Sequence, residues 1–164
     1  MDRLKKLYFA APLFSEAEQL YNEQVVTLIE SIFKNSIEVY LPQRNDSIND
    51  KSQYADSVMI ANGDNAYLED ADILIALLDG TAMDPGVAAE VGYFYSMNKP
   101  IIGIYTDSRQ GSYGNQEKLN ALDELAESQF SYVNLYVVGL IKQRGLIVSH
   151  SNQAIDALAE LILD

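Results

Sequence analysis

The 164-residue chain has no cysteine, no tryptophan and one histidine, His150. Without cysteine there is no disulfide, no thiolate nucleophile and no Cys-based zinc site. A single histidine rules out His-rich metal sites and leaves a Ser-His-Asp triad without support. It stands between Ser149 and Ser151 and reads as a solvated residue beside the last helix. Bases are also few: 11 Lys and Arg against 24 Asp and Glu, for a net charge of -13. Phosphate backbones and anionic bilayers are held by clustered cations, so neither nucleic acid nor a membrane surface is expected as a partner. No apolar stretch approaches the roughly 20 residues that span a bilayer. Met1-Asp2-Arg3-Leu4-Lys5-Lys6 leads into a strand-like run rather than a signal-peptide core. A cytoplasmic protein made of one domain, residues 1–164, is expected.

Glycine is missing where phosphate binders need it. There is no G-x-x-x-x-G-K-[ST], and the loop after the first strand, Ala10-Ala11-Pro12-Leu13-Phe14, contains no glycine at all. A P-loop, a dinucleotide fold and a backbone phosphate cradle are therefore not indicated. A receiver domain would need acids at the end of strand 1, where Phe9, Ala10 and Ala11 stand.

What the chain has is alternation of short apolar runs with helical patterns. Leu7–Ala11, Ile37–Leu41, Asp72–Asp79, Pro100–Thr106 and Leu146–Val148 read as strands; the third, with its continuous apolar middle, reads as central and covered on both faces. Ser15-Glu16-Ala17-Glu18 is a capping box opening a helix that carries Leu20, Val25, Leu28, Ile29 and Ile32 at helical spacing. Ser47–Ile60 reads as a polar, irregular helix. Asn62-Gly63-Asp64 reads as a turn before a short helix through Leu68–Ala71. Asn115–Glu127 reads as amphipathic, with Leu119, Leu122 and Leu125 inward. Asn134–Gln143, ended by Gly145, and Asn152–Leu163 complete the series. Strands separated by helices imply an α/β doubly wound parallel sheet, with expected order 2-1-3-4-5. Ligands of such folds bind beyond the carboxyl ends of the strands, where the order reverses.

Between Pro85 and Lys99 one charge, Glu90, stands in the run Gly86-Val87-Ala88-Ala89-Glu90-Val91-Gly92-Tyr93-Phe94-Tyr95. A lone carboxylate there is costly to desolvate and needs partners or a task. Asp84-Pro85 just before it is a helix start, with Asp as cap and Pro in the first turn. The helix N-terminus favours an ionised Glu90, while burial opposes it. Asp64, Asp79 and Asp84 are expected around the same strand mouth, with Tyr8 on the neighbouring strand. Displacement at a sugar's anomeric carbon suits this set, one carboxylate attacking while an acid protonates the departing group. Four carboxylates can also hold Mg²⁺ or Ca²⁺, although no metal-loop spacing is present.

Tyr8-Phe9-Ala10-Ala11-Pro12-Leu13-Phe14, Gly63-Asp64, Ala71-Asp72, Leu78-Asp79-Gly80, and Asp84-Pro85-Gly86 with Ala89-Glu90-Val91-Gly92-Tyr93 together resemble the nucleoside 2-deoxyribosyltransferases. The likeness runs from about residue 6 to about residue 145, and its most specific part is Asp-x-Gly-x-x-x-Glu-x-Gly-Tyr. It implies a flavodoxin-like fold and exchange of the base of a 2'-deoxynucleoside for a free nucleobase, a salvage reaction without cofactor. It further implies Glu90 as nucleophile, Tyr8 orienting it, Asp64 as proton donor facing the base, and Asp84 on a sugar hydroxyl. Asp79, Gly80 and Phe14 fall at substrate-contacting positions. Asn134 matches an asparagine that reaches a neighbouring subunit's site, which implies a homo-oligomer with shared sites. Tyr136 replaces the methionine many members carry two residues later, at the sugar end.

Simpler readings stand beside each. Glu90 can be an ion pair with Lys99 or Arg3; Asp84, Asp64 and Asn134 can be helix caps; Asp79 can end a strand; Tyr8 can be core. Two other functions compete: an N-glycosidase hydrolysing deoxynucleoside 5'-monophosphates, and a non-catalytic nucleoside or nucleotide sensor. The hydrolase would need phosphate-binding groups after strand 1, where this chain has Ala10–Phe14.

Overall fold

The computed structural model describes residues 3–50, 52 and 54–163. In chain order they form β1 (Lys5–Ala10), α1 (Glu16–Phe33), β2 (Ile37–Tyr40), α2 (Asp46–Asn49), α3 (Ser57–Asp70), β3 (Ile73–Leu77), α4 (Pro85–Tyr95), β4 (Ile101–Ile104), α5 (Gln116–Asn120), α6 (Leu135–Arg144), β5 (Gly145–Val148) and α7 (Ser151–Leu163). All neighbouring strands are parallel, in the order β2-β1-β3-β4-β5. This is the expected flavodoxin-like α/β sheet, with each crossover filled by a helix.

Side chains alternate across a strand, and that period assigns every strand residue to a layer. Leu7, Phe9, Ile73, Ile75, Leu77, Ile102 and Ile104 pack with Val25, Val26 and Ile29 of α1 and Ala154, Ile155 and Leu158 of α7. Tyr8, Ala10, Leu74, Ala76 and Ile101 face the other way. They meet Leu68 of α3, Val87, Val91 and Phe94 of α4, and Val137, Leu140 and Ile141 of α6. Tyr8 thus lies on the α4 side because its number is even relative to Leu7 and Phe9. The β1–β3 register then sets it beside Leu74.

Four expectations about local structure are corrected. Asn62-Gly63-Asp64 is no turn; α3 runs unbroken through it from its cap, Asp56, whose carboxylate accepts from Met59 N at 2.8 Å. Gly63 is small for another reason: a Cβ there would stand 2.9 Å from Ile48 Cδ1, so the glycine lets α2 approach. The polar stretch before it gives the four-residue α2, capped by Asn45, and the first turn of α3, not one helix over 47–60. The amphipathic helix at 115–127 shrinks to α5 and a 3₁₀ turn at Ala121–Asp123. Leu119, Leu122 and Leu125 point to solvent, Leu125 being 99% exposed. On α1 the inward stripe is Asn22, Val25, Val26 and Ile29, a spacing of i, i+3, i+4, i+7; Leu20, Leu28 and Ile32 lie outside it and are exposed.

Gly145, expected to end α6, also opens β5. A Cβ at that position would meet Ile101 O at 2.1 Å, so the β4–β5 approach excludes any side chain. His150 is exposed; its carbonyl accepts from Gln153 N and Ala154 N at the start of α7. Among the described residues, no helix is long and apolar enough to cross a membrane.

Candidate functional site

At the carboxyl end of the sheet, where connections diverge from β1 and β3, lies a cavity of about 350 Å³. The β1–α1 link supplies Ala11, Leu13 and Phe14; the β2–α3 connection supplies Pro42, Ile48 and Asn49. Ile60 and Asp64 come from α3. Asp84, Gly86, Val87 and Glu90 come from the start of α4. Ile60, Asp64 and Leu68 are spaced by four, so one face of α3 carries them all: the last packs on the sheet while the first two line the cavity.

The start of α4 is built by its first residues. Asp84 caps it, accepting from Val87 N at 2.9 Å, and Pro85 occupies the first turn. Gly86 gives the cap room, since a Cβ there would lie 2.9 Å from Asp84 Oδ1. Glu90 follows one turn further on, and Tyr8 donates its hydroxyl hydrogen to Glu90 Oε1 at 2.5 Å. Neither base that might have neutralised Glu90 reaches it. Lys99 donates to the carbonyls of Glu69 and Ala71 at 2.7 and 2.5 Å, and Arg3 pairs with Asp72 at 2.5 Å.

An unpaired acid with other acids around it resists ionisation. Burial pushes Glu90 up to about 7; Tyr8's hydroxyl opposes this, and the charges of Asp64 and Asp84 add to it. Burial therefore outweighs the helix N-terminus. Asp64 is also held above its ordinary range by burial, again opposed by the Tyr8 hydroxyl. Tyr8, fully buried, is pushed far up by desolvation and then by the neighbouring carboxylate of Glu90, so it stays a donor. Its ring is held in a ladder: Tyr40 lies 5.2 Å from it, tilted by 44°, and Tyr40 stacks on Tyr67 at 3.6 Å.

The structure thus brings Asp64, Asp84, Glu90 and Phe14 to one cavity, with buried Tyr8 hydrogen-bonded to Glu90 behind its wall. Asp79 is not among its walls. Its carboxylate accepts from Thr106 N at 2.6 Å and Thr106 Oγ1 at 2.5 Å, tying the end of β3 to the end of β4. Gly80 follows in a turn at φ 138, where a Cβ would lie 2.8 Å from Ala82 O. The four-carboxylate cluster is therefore three, and no metal-ligating group of three forms among the described residues.

Asn134 and Tyr136 lie elsewhere too. Asn134 caps α6, accepting from Tyr136 N at 3.0 Å. Both border a second concavity, of about 500 Å³, on the other side of α4, where Ala88, Ala89 and Gly92 form its floor. Helix α4 thus separates the two: Gly86, Val87 and Glu90 face one, Ala88, Ala89 and Gly92 the other. Several walls of the Glu90 cavity were not anticipated: Pro42, Ile48, Asn49 and Ile60. Of these, Ile60 was readable, since it precedes Asp64 by one helical turn.

The family model for nucleoside 2-deoxyribosyltransferase matches residues 7–154. The chain belongs to that family. Among relatives, an uncharacterized protein of Ureaplasma parvum is 31% identical over 143 residues, covering 80% of this chain and 89% of that protein. A conserved protein from Enterococcus faecalis V583 is 48% identical, with a TM-score of 0.91 over 96% of this chain and 99% of that one. The fold alone is shared with two others. One is the CMP N-glycosidase BcmB of Clostridium botulinum, at 17% identity and TM-score 0.52, covering 96% of this chain and 99% of that one. The other is a 2-deoxyribosyltransferase from Bacillus psychrosaccharolyticus, at 20% identity and TM-score 0.50, covering 77% of this chain and 98% of that one.

Proposed function

We propose that this protein transfers the 2-deoxyribosyl group between nucleobases by double displacement at C1'. The observation that carries it is the 2.5 Å hydrogen bond from buried Tyr8 to Glu90, which lines a cavity with Asp64 and has no cation on it among the described residues. A carboxylate held by one neutral donor stays nucleophilic, whereas an ion pair would quench it. Glu90 attacks C1', the C1'–N bond breaks, and its electrons pass to the departing base. Asp64, whose carboxyl burial holds above its ordinary range, delivers a proton to the ring nitrogen. Asp84 holds a sugar hydroxyl, and Phe14 covers the base. An incoming base then attacks C1' from the face its predecessor left, the ester to Glu90 breaks, and the proton of the attacking ring nitrogen passes back to Asp64. Apolar walls at Leu13, Phe14, Ile48 and Ile60 limit water at the ester, so hydrolysis is a slow side reaction.

Nucleosides are favoured over monophosphates by charge. The described lining carries three carboxylates and no Lys, Arg or His. A dianionic phosphate placed among them would be repelled. Asn134 completes the site of a second copy: α4 stands between it and its own Glu90, while Leu135 and Tyr136 beside it are 74% and 75% exposed. The protein is accordingly a homo-oligomer with shared sites.

The test is direct. The protein is incubated with a 2'-deoxynucleoside and a different free base, and the exchanged nucleoside is sought. Exchange lost in Glu90→Ala, with a deoxyribosyl adduct mapped to Glu90 by mass spectrometry, supports the transferase. Base release from monophosphates alone would make it a hydrolase. Binding without turnover would make it a sensor.

A further inference from the structure

Past Phe14 the Glu90 cavity adjoins a polar concavity of about 320 Å³, bordered by Gln19, Gln43, Asp46 and Asn49; the two share Leu13, Phe14 and Asn49. Each amide nitrogen on this wall donates to the protein, Gln19 and Gln43 with one N–H and Asn49 with both. Gln19 Nε2 donates to Leu13 O at 2.8 Å, and Gln43 Nε2 to Gln19 O at 3.0 Å. Asn49 Nδ2 donates to Pro42 O at 2.7 Å and Asn45 O at 3.0 Å. These orientations are forced, since a flipped amide would set oxygen against carbonyl oxygen.

What remains at Asn49 and Asp46 is acceptors. Among the described residues, nothing donates to Gln19 Oε1, Asn49 Oδ1 or the Asp46 carboxylate. Gln43 Oε1 takes its hydrogen bond from Asn22 Nδ2 at 3.0 Å, and Asn22 Oδ1 is buried behind it without a partner. Among the described residues, the nearby cation Arg44 is committed to Glu23 and Glu30 at 2.5 and 2.7 Å. At Asn49 and Asp46 the described wall offers acceptors only, since both Asn49 N–H groups are taken, and such an edge recognises N–H groups. It penalises a carbonyl placed in the same position, because lone pairs then face lone pairs.

We propose that this wall selects nucleobases bearing an exocyclic amine, adenine over hypoxanthine and cytosine over uracil. The inference rests on the deoxyribosyl-transfer reading and names its substrate class. An amine at that position donates to Asn49 Oδ1 or to Asp46, while the base ring lies against Phe14 and Ile48. The oxo base of the same size and shape leaves those acceptors unpaired. Sites that discriminate by hydrogen bonding to a substrate donor reject the lacking analogue far more strongly than apolar pockets reject a methylene.

The experiment is acceptor competition. With deoxycytidine as donor, equimolar adenine and hypoxanthine are offered together; with deoxyadenosine as donor, cytosine and uracil are. The product ratio is the ratio of kcat/KM. About tenfold or more in favour of the amino base is expected in both pairs. Asp46→Asn, at an exposed position that tolerates the change, puts a donor on the wall and should shrink that ratio severalfold. Equal or reversed ratios with exchange intact would overturn this proposal and leave the transferase reading standing. So would an amino preference that Asp46→Asn does not move. No exchange with any of the four bases would overturn the reading itself.

Discussion

Tyr8→Phe tests the site at its centre. The ring stays in its buried place beside Tyr40, and only the hydroxyl that donates to Glu90 at 2.5 Å is lost. A hydrogen bond to a charged group is worth about 1.5–3 kcal/mol net, which corresponds to roughly 1–2 pH units in the acid it stabilises. In the native protein Glu90 ionises at about 7, with the hydroxyl holding that value down. Without it, Glu90 should ionise higher by about that interval. Attack on C1' needs the carboxylate, so the acid limb of kcat/KM for base exchange should move up by that interval. At pH 6 the variant should be slower by about thirtyfold, a deficit that shrinks towards none above about pH 9. The assay is exchange of a deoxynucleoside with a free base, followed chromatographically from pH 5 to 10. A loss equal at all pH values, or an acid limb left in place, would refute the claim that Tyr8 acts by stabilising ionised Glu90.

Glu90→Gln should abolish exchange yet stabilise the fold. The folded value lies above the usual carboxylate value of 4.5, so the folded protein binds more protons than the unfolded chain between about pH 4.5 and 7. Stability therefore falls as pH rises through that window, by about 3 kcal/mol in total. The glutamine variant, lacking that penalty, should melt higher than native at pH 8 and lose its advantage by about pH 4.5; an equal or lower Tm at pH 8 would contradict the burial argument. Asp64→Asn should cost about 10²–10⁴ in rate for ordinary bases, and much less for analogues whose base departs without a proton, as chromatographic rates on both would reveal. Mixing Glu90→Ala with Asn134→Ala, each inactive alone, should regenerate up to roughly a quarter of the sites if copies pair reciprocally; no recovery would mean Asn134 does not cross between copies. Gly145→Ala should cost more than about 2 kcal/mol, because its Cβ meets backbone oxygen at 2.1 Å, whereas Gly63→Ala should stay within about 1 kcal/mol, its clash being with a movable Ile48 methyl.

The parts of this protein that were readable beforehand share one property: a single strong local signal with no competitor. Ile73–Leu77 is apolar throughout because both faces of the central strand are covered, and that alone marked it. The Asp84-Pro85 start and the lone acid after it single out Glu90, and its other reading, an ion pair, fails because Lys99 and Arg3 are held elsewhere. The failures occurred where one residue type serves two purposes. Asn62-Gly63-Asp64 has turn chemistry, but the glycine is there for the approach of Ile48, a contact between segments that no local pattern records. Leu119, Leu122 and Leu125 keep helical spacing on a segment that has no sheet beneath it, so the period misleads. Asp79 and Asp84 were indistinguishable as acids after the same strand. Only the register of β4 reveals that Asp79 is consumed by Thr106, whereas Asp84, set back by one loop, turns its cap towards the cavity. Site residues contributed by one element were legible. Those defined by which neighbouring element arrives, Asn49 and Ile48 above all, require the fold, because only the approach of α2 to α3 brings them to the cavity.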